Sequence, residues 1–229
     1  MENDRKWYLK AVVKGVISLL FILVFFMVLA GRKDYWQGWV FCGICFIGAT
    51  VQFAAFSDKT DLGKERMKPG PGTKWWDKVI LAFFGPLFFT VFILAILDAG
   101  RFGWTGHIHW TVYVIGYTAH IISYIVTIWS MLVNRFFSST VRIQSDRHQT
   151  VVRKGPYSYI RHPGYVGGIL LAVSSSLILG SYTALIPACA VTVLLILRTY
   201  LEDKTLQNEL EGYRDYTEIV RYRLFPGIW

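Results

Sequence analysis

From Val166 to Leu197 the chain runs for 32 residues without a charged side chain. As a single helix that run would be about 48 Å long, against a bilayer hydrocarbon core of about 30 Å. Gly180, Ser181 and Tyr182 stand near its middle, with Pro187 soon after, and such residues favour a turn over continued helix. The run therefore predicts a tight helical hairpin with arms at 164–179 and 182–201. Four more apolar stretches, at 12–30, 36–56, 79–97 and 110–133, each approach the roughly 20 residues a crossing needs. In lipid the backbone must satisfy its own hydrogen bonds, which a helix does within one segment. The expectation is an all-α integral membrane protein of about six transmembrane helices, four in 1–133 and the hairpin in 134–229. A content of 54% hydrophobic and 17% aromatic residues is too apolar for a soluble domain and agrees with this reading.

Lys and Arg test the count, because cytoplasmic loops carry their excess. With six crossings, 21 of the 24 basic residues fall on one side and three on the other. Both termini and the polar segment 134–165 are thus expected in the cytoplasm. The net charge of +9 is accounted for by topology and anionic headgroups, so nucleic acid is not an expected partner. Eight of the nine tryptophans lie near span ends and the ninth is Trp229, as interfacial anchors would. The first span has no small-residue cleavage pattern and is read as a helix rather than a signal peptide.

Several features carry little chemistry. Cys42 and Cys45 lie inside an apolar span and read as small buried residues, and three cysteines make no disulfide framework. The 57–78 loop, with Pro69-Gly70-Pro71-Gly72, reads as a surface connection holding a turn or short amphipathic helix. His107 and His109, without a carboxylate partner, predict no metal site. His120, deep in a span, is expected to make a neutral hydrogen bond between helices. Neither a P-loop nor a dinucleotide-binding glycine fingerprint is present.

The polar residues able to do chemistry are confined to 134–165 and 198–226, on either side of the hairpin. A hairpin returns to the face it left, so Arg161, His162 and Tyr165 at its start are expected near Arg198, Glu202 and Asp203 at its end. Arg198 and Glu202 share a helix face at i, i+4 spacing. Asp203 is expected on another face, toward solvent or as a cap. The stretch after Glu202, with Leu206, Leu210, Tyr213 and Val220 at near-helical spacing, is expected to form an amphipathic helix closing one pocket.

His148, then Gly155-Pro156-Tyr157, then Arg161-His162-Pro163-Gly164-Tyr165, the apolar hairpin, Arg198-Thr199-Tyr200-Leu201-Glu202-Asp203 and a closing Tyr222-Arg223-Leu224-Phe225-Pro226 follow in a fixed order. In that order the chain from Asn134 onward resembles the isoprenylcysteine carboxyl methyltransferase family and the related membrane phospholipid methyltransferases. It departs from their R-x-x-x-E-E motif in having Asp203 where a second glutamate would stand. The first four spans match only as generic membrane helices.

The resemblance implies an S-adenosylmethionine-dependent integral membrane methyltransferase with a cytoplasmic cofactor pocket and a lipid-like or prenylated substrate arriving through the bilayer. It assigns cofactor binding to His148, Gly155, Pro156, Tyr157, His162, Tyr165 and Glu202, with His162 and Glu202 at the methionine end. Catalytic roles fall to Arg161, Arg198 and Glu202, and no metal is required. A carboxylate acceptor, above all that of a prenylated cysteine, is already ionised near neutral pH and needs only a cation such as Arg161 or Arg198. An amine acceptor, as in a phospholipid N-methyltransferase, must first lose a proton to a base such as Glu202 or a neutral histidine. Both stay open, as do an NADPH-dependent sterol-reductase-like enzyme and a non-catalytic membrane scaffold.

Overall fold

The computed structural model of the protein describes residues 2–56, 65–66 and 71–229. Seven α-helices are described: α1 (Glu2–Ala30), α2 (Trp36–Phe56), α3 (Trp75–Ala95), α4 (Trp110–Val133), α5 (Pro163–Ile178), α6 (Leu185–Glu209) and α7 (Tyr213–Ile219). The described residues contain no strand. Helices occupy all six expected span positions. Among the described residues three segments, Trp75–Phe102, Trp110–Val133 and Leu185–Glu209, are long and apolar enough to cross a membrane, and Pro163–Ile178 is a shorter apolar helix. Most of the expected surface connection at 57–78, including Pro69 and Gly70, lies outside the described residues.

The chain reverses between α5 and α6 at Gly180, whose φ of 81° is a left-handed value that a glycine adopts without strain. Pro187 sits in the first turn of α6, where its missing N–H costs no helical bond. A buried carboxylate fixes this turn from outside. Helix α3 runs on into a π-helical turn, Ile96–Phe102, and Asp98 there has no solvent exposure. Asp98 accepts from the Thr105 amide at 2.7 Å, from the Thr105 hydroxyl, from Ser181 at 2.6 Å and from Thr183 at 2.8 Å. The hairpin is thereby tied to α3.

Small residues set how closely α4 and α5 approach. A Cβ built on Gly116 would lie 3.0 Å from Ile178 and Leu177. One on Gly167 would collide with the Thr127 hydroxyl and stand 3.2 Å from the Ser123 carbonyl. Ser123 donates to the Gly167 carbonyl at 2.9 Å, and His120 Nδ1 lies 2.8 Å from the Ser174 hydroxyl, so His120 bonds between helices as expected. Close backbone approach plus polar links is how helices associate where lipid offers no hydrophobic drive between them. The expected homes for the cysteines hold in part: Cys42 is buried and Cys45 half-buried.

Past its apolar part, α6 extends to Glu209, whose carboxylate meets Lys74 Nζ at 2.7 Å just before α3. The stretch after Glu202 is therefore not a separate amphipathic helix. It is the end of α6, a break at Gly212 (φ 73°) and the short α7. Leu206, Tyr213, Tyr216 and Val220 form a second small core there with Ile143, Val151 and Leu210.

Gly167→Val is expected to lower the detergent melting temperature by several degrees, since overpacking a tight contact costs about 1–3 kcal/mol. Gly85→Ala, where an added Cβ meets nothing within 4 Å, should leave it unchanged or slightly raised. Equal melting of the two variants would contradict the close α4–α5 contact.

Candidate functional site

The polar segment between α4 and α5 is shaped by a few backbone decisions. Gly155 takes φ 61° at the start of a 3-10 turn, Gly155–Ser158, and a Cβ there would press on Val133 Cγ2 at 2.9 Å and Trp129 Nε1 at 3.0 Å. Glycine is needed on both counts. Pro163 then opens α5 at a position where proline suits a helix start. Between them the amides of Arg161 and His162 donate to the carbonyls of Tyr222 and Arg223 at 2.9 and 3.0 Å. The turn is laced to the C-terminal segment.

At the centre of this region is Asp203. It has no solvent exposure, which corrects the expectation of a solvent-facing or capping residue. Arg161 grips it bidentately, Nε to Oδ1 at 2.8 Å and Nη2 to Oδ2 at 3.0 Å. Gln207 Nε2 at 2.7 Å, Arg223 Nε at 2.8 Å and the Tyr213 hydroxyl at 3.1 Å also donate to it, and His162 Nε2 lies 3.1 Å from Oδ1. Arg161 Nη1 donates to the carbonyls of Val220 and Arg221, both at 2.8 Å. With an ionised carboxylate beside Nε2, His162 bears its proton there, which leaves Nδ1 for another partner. Burial, with Asp203 adding to it, drives the Tyr213 phenol well above its ordinary range, so it serves as a neutral donor.

A second node ties α6 to α3. Arg198 donates from Nε to Asp77 Oδ1 at 2.7 Å, and from Nη2 to Oδ2 at 3.2 Å and to the Ser139 carbonyl at 2.8 Å. Asp77, fully buried, also accepts from the Val141 amide at 2.7 Å. The Arg198 guanidinium lies over the Tyr165 ring, 5.5 Å from its centroid, and the Tyr165 hydroxyl donates to Glu202. Arg198 and Glu202 are thus on one face but bond to different partners. In a third node Arg142, buried, holds Glu65 bidentately at 3.0 Å twice and Asp146 at 2.7 and 3.2 Å. Hydrogen bonds to Asp146 and then Glu65 raise the Arg142 pKa, and the same bond lowers that of Asp146.

These nodes surround a cavity of about 430 Å³. Gln144, Tyr157, His162, Glu202 and Tyr213 line its polar part, and Leu81, Phe84, Leu171 and Leu195 from the membrane helices line its apolar part. The Tyr157 hydroxyl accepts from Asn134 Nδ2 at 3.1 Å and its carbonyl from Tyr216 at 2.6 Å; burial pushes its phenol above the ordinary range. The Thr140 hydroxyl, buried on the wall, has no hydrogen-bond partner among the described residues. Of the residues singled out in the sequence, Arg161, Arg198, Glu202, Tyr157, His162 and Tyr165 line this one cavity. His148 is exposed with φ 51° and stands next to the lining residue Gln149, while Gly155 and Pro156 stand behind Tyr157.

Sequence reasoning missed Asp77, Gln144, Arg142 and the part played by Asp203. Asp77 reads as an ordinary acidic residue in a first helical turn, where a negative charge is favoured anyway. Gln144 is buried, donating to the Phe136 carbonyl at 2.7 Å and accepting from Arg147 at 2.6 Å. Nothing in its local sequence marks it.

Fold and site together define a helical integral membrane protein with a cavity that joins buried ionisable groups to an apolar interior. Residues 114–208 match the family model of the isoprenylcysteine carboxyl methyltransferase (ICMT) family, which bears out the resemblance read from the motifs. The match begins within α4 and runs to the end of α6. Among solved structures, the chain is similar to that described as the eukaryotic intramembrane Ras methyltransferase ICMT, with a TM-score of 0.50 and 18% identity over 95% of this chain and 86% of that one. At that identity the likeness is one of fold. No curated protein matches the sequence.

Replacing Asp77 by Asn is expected to destabilise by about 3–5 kcal/mol, because it strands a buried guanidinium. In the Asp77→Asn/Arg198→Gln double variant the loss should fall short of the sum of the single losses, a coupling seen by melting in detergent. Strict additivity would contradict the pair.

Proposed function

We propose that the protein is an S-adenosylmethionine-dependent methyltransferase of the membrane, acting on a lipid-like acceptor whose leading form is the carboxylate of a prenylated cysteine. The observation that carries this reading is the cavity itself, which brings Glu202, His162 and Tyr165 together at one end and opens among apolar residues of α3, α5 and α6 at the other. A polar donor and an apolar acceptor tail need such a composite space. Its volume of about 430 Å³ falls in the range of small-molecule sites, roughly 300–1,000 Å³.

The residues present suit the cofactor. Glu202 supplies an anion for its cationic end, the Tyr157 ring offers a face to a sulfonium, and the Thr140 hydroxyl, without a partner among the described residues, offers a further polar contact. Glu202 and His162, whose Nδ1 is left available by Asp203, hold the methionine end. Tyr157, backed by the Gly155–Pro156 turn, and the segment after His148 surround the nucleoside. Tyr165 orients the Glu202 carboxylate by donating to it. Arg161 and Arg198, bonded to Asp203 and Asp77, keep the hairpin ends in register and hold the wall in place.

When bound, S-adenosylmethionine supplies a methyl group already activated on a sulfonium. The protein therefore has to align acceptor, methyl and sulfur and to exclude water. An ionised carboxylate needs no base, so Glu202 is free to act as a binding group. In this reading six helices cross the bilayer and both termini and the polar end of the cavity face the cytoplasm, an orientation supported by the basic residues on that side.

Calorimetry on the detergent-purified protein tests the proposal. S-adenosylmethionine is expected to bind and NADPH not to, and Glu202→Gln should weaken the former about tenfold or more, ~1.4 kcal/mol, at unchanged melting temperature. Absence of S-adenosylmethionine binding, or binding of NADPH instead, would overturn the reading.

A further inference from the structure

Four arginines line the cavity, and they are of two kinds. Arg142, Arg161 and Arg198 each make a bidentate pair with a buried carboxylate, Glu65, Asp203 and Asp77 respectively. Their guanidinium N–H groups are occupied by bonds within the protein. Arg66 differs: its guanidinium lies over the Phe137 ring, 5.2 Å from the centroid, and among the described residues no carboxylate meets it. Burial lowers its pKa, the direction for a guanidinium withdrawn from water. Arginine nevertheless remains charged.

The position of Arg66 is held firmly. Arg142 fixes the preceding Glu65 by two bonds, Ser138 donates to Glu65 at 3.2 Å, and Ser139 donates to the Arg66 carbonyl at 3.0 Å. The ring beneath the guanidinium is itself wedged against the start of α5, since a Cβ on Gly164 would meet Phe137 Cε2 at 2.6 Å and Cζ at 2.8 Å. The next residue is Tyr165, which holds Glu202. One aromatic ring thus separates the Arg66 guanidinium from the helix start where the polar groups of the cavity begin. Leu81, Phe84 and Leu171 continue the same cavity into the membrane helices.

We propose that Arg66 is the residue that recognises the acceptor, and that what it recognises is a carboxylate carried at the head of an apolar tail. The inference rests on the methyl-transfer reading above and narrows it. A carboxylate brought out of water into this space needs a cation that no protein anion has already claimed. A guanidinium offers it a two-pronged match. An amine acceptor, cationic before it loses a proton, would be repelled there. In the transfer a carboxylate oxygen forms a bond to the methyl carbon as the carbon–sulfur bond breaks and its electron pair stays on sulfur. The acceptor's negative charge and the sulfonium's positive charge disappear together, and no proton moves. The ester so formed is neutral, so Arg66 loses its ion pair at that moment and product release is favoured.

The test compares binding of two probes, N-acetyl-S-farnesylcysteine and its carboxamide, to the detergent-purified protein saturated with S-adenosylhomocysteine. The unaltered protein is expected to prefer the carboxylate by about tenfold or more. Arg66→Gln should abolish that preference while leaving carboxamide and S-adenosylhomocysteine affinities as they were, and Arg66→Lys should retain part of it. A carboxylate preference that survives in Arg66→Gln, or one that is missing from the unaltered protein, would overturn the assignment. Failure of the unaltered protein to bind S-adenosylhomocysteine would instead overturn the methyltransferase reading along with it.

Discussion

A carboxylate shut away from water in a helical membrane protein is tolerated only when its charge is met on every side. Asp203 is met by two arginines, a histidine, a tyrosine and a glutamine. Those donors come from three separate stretches: the turn before α5, the polar end of α6, and the region from α7 to Arg223. Among these donors only Arg161 and His162 are adjacent in sequence. One ionised group therefore orders a wall that no single helix could build. Removing its charge would leave two guanidiniums without their anion as well as Tyr213 and Gln207 without an acceptor.

The other two nodes repeat the device at the periphery. Asp77 binds α3 to α6 through Arg198, and Arg142 binds the 65–66 segment to the loop before α5. Each is a buried pair whose formation is costly and whose disruption is costlier, which makes it a means of specifying arrangement more than of adding stability. The apolar part of the fold works differently. Close contact at Gly167 and Gly116, hydroxyl and imidazole links between α4 and α5, and the Asp98 knot at the far end of the hairpin bring the two hairpin ends back to one face. Only then can the three polar stretches meet.

Much of this was legible in the residues. The charge-free run from Val166, interrupted at Gly180, gave away the hairpin, and the hairpin brought Arg161, His162 and Tyr165 to Arg198 and Glu202 as expected. The ordered motifs from His148 to Pro226 pointed to the family whose model matches 114–208. What stayed hidden was pairing at long range. Asp203 looks like a solvent residue beside Glu202 because its six bonds depend on tertiary contacts as far as Arg223. Asp77 lies 121 positions from Arg198. Arg66 is one of six basic residues in the 57–78 loop, and only the pairing of the other cavity arginines sets it apart.

The central claim is that Asp203 couples the turn at 161–165 to the C-terminal segment, and that the cavity wall exists only through this coupling. Hydrogen–deuterium exchange on the detergent-purified Asp203→Asn variant measures it directly. The account expects the amides of Arg161, His162, Arg223 and Leu224 to lose protection together, while the amides of α3 and α4 keep theirs. Retained protection of the C-terminal segment in that variant, or equal loss across all helices, would contradict it.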